Sequence, residues 1–152
     1  MIRTPSPLTG QDIGSAHYST RAVLDVLLQK HGLDFGQWAG LRTLATRGEA
    51  LGRSDFERVL TESRAFAPET PETPETLSTL ADRLTDAGLA TANASGGLSP
   101  TPRGAALHAE ITDALAEVTD RIHGHLDPAD LAVTQRTLSL ITDRARELHD
   151  EL

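Results

Sequence analysis

Apolar side chains recur at helical spacing along most of this chain. In the segment that follows Pro102, the apolar stripe comprises Leu107, Ile111, Leu115, Val118 and Ile122. Aromatic residues make up only 3% of the sequence. Aliphatic side chains therefore have to fill the interior, and a composition rich in Leu and Ala favours helices over sheets. We expect a mainly helical fold for the 152 residues.

Capping residues and prolines divide the chain into six predicted helices. The first is predicted for residues 11–31, after an extended arm at residues 1–10. Asp34 with Gln37, and Ser54 with Glu57, form capping boxes that predict the starts of the second and third helices. The last three are predicted to begin at a proline, which favours the first helical position: Pro74, Pro102 and Pro128.

One segment departs from the helical pattern. The sequence LATANASGGLSPT, residues 89–101, has strand-like ends around the turn-rich tip Asn93–Gly97. Alternating short side chains on either side of a Gly-rich tip are typical of a β-hairpin. We therefore predict a small hairpin between the fourth and fifth helices.

The charge and the absence of cysteine limit the function classes. The formal net charge is −8, from 22 acidic and 14 basic side chains, which opposes non-specific attraction to nucleic acid or to an anionic membrane. The chain has no cysteine, which excludes disulfides, thiol catalysis and thiolate metal sites. No apolar segment reaches the length of a signal peptide or a membrane span. We expect a cytoplasmic protein with no membrane partner.

Three segments, in order along the chain, resemble the MarR family of winged-helix transcription regulators. They are LDFGQWAGLRTLATRG, LSTLADRLTDAGLA and LSPTPRGAAL, and the resemblance covers almost the full chain. The quoted marks are Gln37-Trp38 for the second helix, Asp82-Arg83-Leu84 for the end of the recognition helix, and Thr101 with Gly104 for the exit from the wing. The alternative is an unrelated helical bundle with a chance hairpin.

The resemblance implies a specific organisation. It implies a mainly α fold with a small β-hairpin wing, as a winged helix-turn-helix with long N- and C-terminal dimerisation helices. Residues 1–152 then form a single MarR-like domain, with dimerisation helices at about 9–33 and 102–152 and the winged lobe at about 34–101. It also implies a homodimer, with small-molecule pockets between the dimer region and the DNA-binding lobes.

The features that bind DNA in such a lobe are sparse here. Arg and Lys contact phosphates, the recognition helix reaches base edges, and a basic wing tip enters the minor groove. Residues 41–103 contain seven Arg against nine Asp and Glu, and the hairpin tip has no charge. We expect weak or atypical binding of double-stranded DNA. The predicted DNA contacts are Arg64, Ser78, Thr79 and Arg83.

The repeat PETPETPET at residues 68–76 lies where a helix-turn-helix connection should be short. Its prolines favour an extended backbone, and its carboxylates repel phosphate. We interpret the repeat as an inserted acidic spacer that caps the following helix and discourages DNA. The alternative is a solvated low-complexity segment without a role.

A ligand cavity is predicted from aromatic, imidazole and guanidinium side chains on the first, second and fifth helices. Such a lining suits a small aromatic or anionic molecule. The predicted ligand residues are His17, Tyr18, Arg21, Trp38, Arg42 and His108. The alternative is that both arginines pair with local carboxylates and that Trp38 is a core residue.

No residue pattern in the sequence indicates catalysis, a cofactor or a metal. No serine or carboxylate pair stands in a recognisable catalytic frame, and there is no Gly-rich phosphate loop. His123 and His125 lack the spacing that places two imidazoles on one helical face, so we interpret them as residues of a helix end. Two functions follow: a ligand-responsive MarR-like regulator, or a descendant that has lost DNA binding and serves as a small-molecule binder or pocket enzyme.

Overall fold

The computed structural model describes residues 7–63 and 74–152, with side chains in the second segment from Leu77 onward. Within these residues, the helices and strands are α1 Gly10–Lys30, α2 Phe35–Arg47, α3 Arg53–Glu62, α4 Pro74–Asp86, β1 Ala90–Ala92, β2 Leu98–Pro100, α5 Pro102–His123 and α6 Pro128–Glu151. The chain divides into two compact units, Met1–Leu115 and Ala116–Leu152. The first unit contains the core and the hairpin.

Side-chain caps fix the starts of α1 and α2. Thr9 and Asp12 form a capping box at the start of α1, so the predicted extended arm ends at Thr9, and its first six residues lie outside the described residues. The capping box predicted for α2 is confirmed. The Asp34 carboxylate accepts a hydrogen bond from the Gln37 N–H at 2.8 Å, and the Gln37 side chain accepts one from the Asp34 N–H at 3.2 Å.

The capping box predicted at Ser54 is wrong. Helix α3 begins one residue earlier than Ser54, and Gly52 occupies the N-cap position without a side-chain hydrogen bond. Ser54 therefore lies inside the first turn, where its hydroxyl cannot cap the helix. Asp55, the next residue in this first turn, forms an ion pair with Arg58 at 2.8 Å.

Close packing of α2 against α3 and α4 forms the centre of the first unit. Gly40 permits this approach, because a Cβ atom at its position would lie 3.0 Å from both Leu84 Cδ1 and Phe56 Cζ. The predicted inner faces of α2 and α4 are confirmed as core. The buried residues on these two faces include Trp38, Leu41, Leu44, Leu80, Ala81 and Leu84, and Leu77 is partly buried against them.

The predicted hairpin is confirmed. Strand β1 pairs with β2 in antiparallel register, from Ala90 opposite Pro100 to Ala92 opposite Leu98. Leu51, which precedes α3, adds a bridge to Leu98 through two backbone hydrogen bonds of 2.9 and 2.7 Å. The hairpin therefore contacts the start of α3 through Leu51, and it contacts α4 because α4 packs against β1.

Thr101 joins the end of α4 to the start of α5. Its hydroxyl donates to the Gly88 carbonyl at 2.7 Å and accepts from the Gly104 N–H at 3.0 Å. Gly104 lies so close to the preceding turn that a Cβ atom there would be 2.0 Å from the Leu89 carbonyl oxygen. Thr101 and Gly104, two of the residues that carry the resemblance, therefore have defined structural roles.

The second unit comprises the end of α5 and helix α6. Asp127 caps α6 by accepting from the Ala129 N–H at 2.7 Å, and Pro128 is the first helical residue, as predicted. No residue of α6 is buried in the chain as described. Its apolar stripe, with spacings of three, four or seven residues, comprises Leu131, Leu138, Ile141, Ala145, Leu148 and Leu152. None of the described helices combines the length and the apolar content needed to cross a membrane.

Candidate nucleic-acid interface and ligand cluster

Helix α4 presents two hydroxyl side chains to solvent. Leu80, Ala81 and Leu84 face the core, which places Ser78 and Thr79 on the exposed side of the helix. Both residues were predicted as DNA contacts, and hydroxyls hydrogen-bond either to bases or to phosphates. The exposed position of both hydroxyls is compatible with that role.

An ion pair attaches α4 to the start of α3. The Arg53 guanidinium binds the Asp82 carboxylate in a bidentate manner, at 2.6 and 3.2 Å, and also donates to the Ser78 carbonyl at 3.3 Å. The hydrogen bond from Arg53 holds the pKa of the Asp82 carboxyl below its ordinary value. Because both side chains are about half exposed or more, solvent screens this pair and we assign it little stability.

The predicted DNA contact Arg83 also has a carboxylate partner. Its guanidinium Nη2 binds Oδ2 of Asp34, the residue that caps α2. Arg83 is the only basic residue in α4. A cation predicted to meet phosphate is therefore held by the protein itself.

Other arginines of the winged lobe are engaged locally. Arg58 binds Asp55 and Glu62 on its own helix, at 2.8 and 3.3 Å. Arg103 donates to the Ala87 carbonyl at 3.1 Å, at the end of α4. The predicted contact Arg64 and the first six residues of the PET repeat lie outside the described residues.

The hairpin tip is organised by a neutral side chain. The carboxamide oxygen of Asn93 accepts hydrogen bonds from the backbone N–H groups of Ser95 and Gly97, at 3.1 and 2.8 Å. Gly96 adopts a positive φ of 80°, which completes the turn. The tip is thus well defined, but it brings no cation to a minor groove.

Three of the predicted ligand residues lie together between α2 and α5. The Trp38 indole stacks on the His108 imidazole, with ring centroids 5.4 Å apart and an interplanar angle of 19°. Burial, and to a lesser degree the positive charge of Arg42, lower the pKa of His108 below its ordinary value. Trp38 is itself only 3% exposed, so a molecule at this cluster would meet His108 and Arg42 first.

A second group of predicted ligand residues lies on α1. The Arg21 guanidinium carbon lies 3.5 Å from the centre of the Phe35 ring, and Arg21 Nε donates to Asp25 at 2.9 Å. His17 and Tyr18 form an edge-to-face pair with centroids 5.6 Å apart, and the Tyr18 side chain is largely exposed. Arg21 therefore pairs with a local carboxylate, as the alternative interpretation expected, and it also makes a cation–π contact.

Comparison with solved structures identifies the fold. The Mycobacterium tuberculosis MarR family protein Rv2887 matches with a TM-score of 0.58 and 23% identity over 86% of this chain and 93% of its own. Transcriptional regulator PA3341 matches with a TM-score of 0.69 and 23% identity, over 91% and 98% of the two chains. Escherichia coli MarR matches with a TM-score of 0.68 and 15% identity, over 93% and 97%.

The chain has the MarR fold. No protein-family model and no curated protein matches the sequence, so the likeness is one of structure. Rv2887 has been crystallised in complex with DNA and in complex with p-aminosalicylic acid. The predicted winged helix-turn-helix, mainly helical with a small hairpin, is confirmed.

Within this MarR fold, two residues with defined contacts were missed by sequence reasoning as site residues. Asp34 was recognised as a helix cap, but its bond to Arg83 joins residues that are 49 positions apart. Arg53 was not among the predicted contacts, and it binds Asp82, 29 positions away. Local sequence patterns carry no signal for either pair. Asp25, by contrast, lies four residues after Arg21 on one helix, a spacing that predicts such an ion pair.

Proposed function

We propose that this protein is a MarR-like, small-molecule-responsive transcription regulator that binds double-stranded DNA as a homodimer. The observation that carries the proposal is the MarR fold with the hydroxyls of Ser78 and Thr79 on the exposed face of α4. The complex of the similar protein Rv2887 with DNA supports it. DNA contacts are assigned to Arg64, Ser78, Thr79 and Arg83.

The homodimer is supported by apolar surface that the single chain leaves uncovered. On α6, Ile141 and Leu148 are 39% and 55% exposed, and on α1 Val26 is 55% exposed. Apolar side chains spaced along a helix at three and four residues are typical of a helix-packing seam. We assign residues 9–33 and 102–152 to dimerisation and residues 34–101 to the winged lobe, within one domain.

The ligand class follows from the cluster between α2 and α5. His108 offers a ring and a polar nitrogen, and Arg42 offers a permanent cation, which together suit a small aromatic carboxylate. The complex of Rv2887 with p-aminosalicylic acid supports this class. His17, Tyr18, Arg21 and Trp38 complete the proposed ligand residues.

A fluorescence anisotropy titration tests the regulator function. The labelled duplex carries the promoter region next to the gene and is long enough to span two half-sites one helical turn apart. We expect saturable binding in low salt that weakens steeply as salt rises. Ser78→Ala with Thr79→Ala should reduce the preference for this duplex over a scrambled one, whereas the matched control Thr137→Ala on α6 should not. Absence of binding in low salt would reject the regulator.

One observation favours a second function. Arg53, which contacts α4, and Arg83, which lies on α4, are both bound to carboxylates, and the hairpin tip is uncharged. A MarR-fold protein that has lost DNA binding and serves as a small-molecule binder or pocket enzyme would show these features. His17 or His108 would then transfer protons.

Calorimetry separates the two functions. If the duplex does not bind but aromatic carboxylates do, the second function replaces the first. Product analysis of the same mixtures then decides between binder and enzyme, because an unchanged ligand in every mixture argues against catalysis.

A further inference from the structure

Asp34 contacts two different helices with its two carboxylate oxygens. Oδ1 accepts from the Gln37 N–H at 2.8 Å and so caps α2. Oδ2 binds the guanidinium of Arg83 on α4. Asp34 therefore caps α2 and also holds the side chain of Arg83, the one basic residue in the sequence of α4.

We propose that Asp34 is a positioning residue for DNA recognition: it holds Arg83 against α2, and a DNA phosphate has to replace Asp34 as the partner of Arg83. This inference rests on the proposed regulator function. A phosphate offers a guanidinium the same kind of charged oxygen acceptor as Oδ2 of Asp34, so a phosphate can replace Asp34 as the partner of Arg83.

The surroundings of the pair allow such an exchange. The side chains of Arg83 and Asp34 are 37% and 50% exposed, and ion pairs with this much solvent are weak. Asp34 is retained in place by its capping box, which does not involve Arg83. The backbone of α4 is held separately, because Leu80 and Leu84 are buried in the core and α4 packs against α2. The Arg83 side chain can therefore move without moving either helix.

Asparagine at position 34 separates the two roles of the aspartate. Asn is as good an N-cap as Asp, so Asp34→Asn keeps the cap and removes the charge that holds Arg83. Asp127→Asn is the matched control, because Asp127 caps α6 through Ala129 and the substitution changes the net charge equally. Arg83→Gln, alone and combined with Asp34→Asn, completes a double-mutant cycle.

The measurement is anisotropy with the promoter duplex over a range of salt concentrations. We expect Asp34→Asn to bind roughly three- to fivefold more tightly than the wild type, the scale of a lost exposed ion pair. The slope of log K against log salt should stay the same, because Arg83 contacts one phosphate in each protomer in both proteins. In the Arg83→Gln background, Asp34→Asn should behave like Asp127→Asn.

Two results would overturn the inference, and they differ from each other. If the wild type binds and Asp34→Asn matches Asp127→Asn, or if its gain persists in Arg83→Gln, Asp34 does not act through Arg83 and only the positioning role fails. If no variant binds in low salt, including Asp34→Asn, the regulator function fails and the positioning role fails with it. Thermal unfolding of each variant shows whether the cap has been kept.

Discussion

The Trp38 indole lies against the His108 imidazole at a centroid distance of 5.4 Å, and this contact joins α2 to α5. Trp38 is the single tryptophan of the chain, so the tryptophan fluorescence of the protein reports on this cluster alone. The cluster also contains the charge of Arg42, which contributes to the lowered pKa of His108. The binding of a ligand and the protonation of His108 can therefore both be followed at this cluster.

An aromatic carboxylate should quench the fluorescence of Trp38. With p-aminosalicylic acid as the probe we expect a saturable change, and Arg42→Gln should weaken the affinity roughly tenfold, because it removes a charged hydrogen bond of about 1.5–3 kcal/mol. Arg47→Gln, at the end of the same helix, is the control and should leave the affinity unchanged. A linear, unsaturable change, or equal losses in both variants, would argue against the ligand cluster.

Protonation of His108 should destabilise the fold. Its pKa is lower in the folded state than its ordinary value of 6.5, mainly because of burial. As pH falls through the unfolded-state value, the unfolded chain takes up a proton first, so the free energy of unfolding decreases. His108→Phe keeps a ring next to Trp38 but cannot titrate. In urea unfolding between about pH 7.5 and about pH 5, it should lose less stability than the wild type. Parallel profiles would contradict this.

A cation at the hairpin tip should strengthen DNA binding. Ala94 lies at the exposed, uncharged tip. Ala94→Arg adds the kind of side chain that enters a minor groove, and we expect about fivefold tighter binding with a salt slope steeper by about 0.9. Ala94→Gln has a long side chain without charge and serves as the control in the same anisotropy titration. If arginine and glutamine act alike, the tip does not approach DNA.

A charge within the apolar stripe of α6 should dissociate the homodimer. Ile141 lies in this stripe, and Ile141→Glu would bury an unpaired carboxylate in the proposed dimer interface. We expect the dimer dissociation constant to rise at least about tenfold, which corresponds to 1.4 kcal/mol. Sedimentation analysis of the wild type, Ile141→Glu and the exposed control Arg136→Glu tests this. A monomeric wild type would remove the homodimer from the proposed function.

A side chain at Gly104 should destabilise the junction between the hairpin and α5. The Cβ atom of Gly104→Ala would lie 2.0 Å from the Leu89 carbonyl oxygen, which forces backbone movement. We expect a loss of about 3 kcal/mol in the free energy of unfolding, measured with urea. Gly10→Ala is the control, because a Cβ atom there meets nothing within 4 Å. Equal stabilities would mean that this junction is not tightly packed.

Much of the fold could be predicted because its signals are local. Asp34 with Gln37, and the prolines at the starts of α5 and α6, act within one helical turn, and the structure shows them where the sequence placed them. The capping box predicted at Ser54 was wrong because Gly52 also permits a helix start. The bridge between Leu51 and the hairpin favours this earlier start of α3.

The candidate site was less predictable, because its contacts join distant parts of the chain. Trp38 and His108 were each predicted to line a cavity, but their direct stacking depends on how α2 packs near α5. The pairs that Arg53 and Arg83 make depend in the same way on the packing of α4. The sequence shows which side chains are charged, but only the fold determines which carboxylate pairs with each arginine.

The hydroxyl of Thr101 has a mechanical consequence for any signal that reaches α5. It bonds both to Gly88, two residues after the end of the helix proposed to read DNA, and to the first turn of the helix that carries His108. A tilt of α5 would therefore shift the end of α4, because the Thr101 side chain is hydrogen-bonded on both sides. We expect Thr101→Val to keep the shape of the side chain and remove both hydrogen bonds, so that a tilt of α5 on the proposed ligand binding would no longer shift the end of α4.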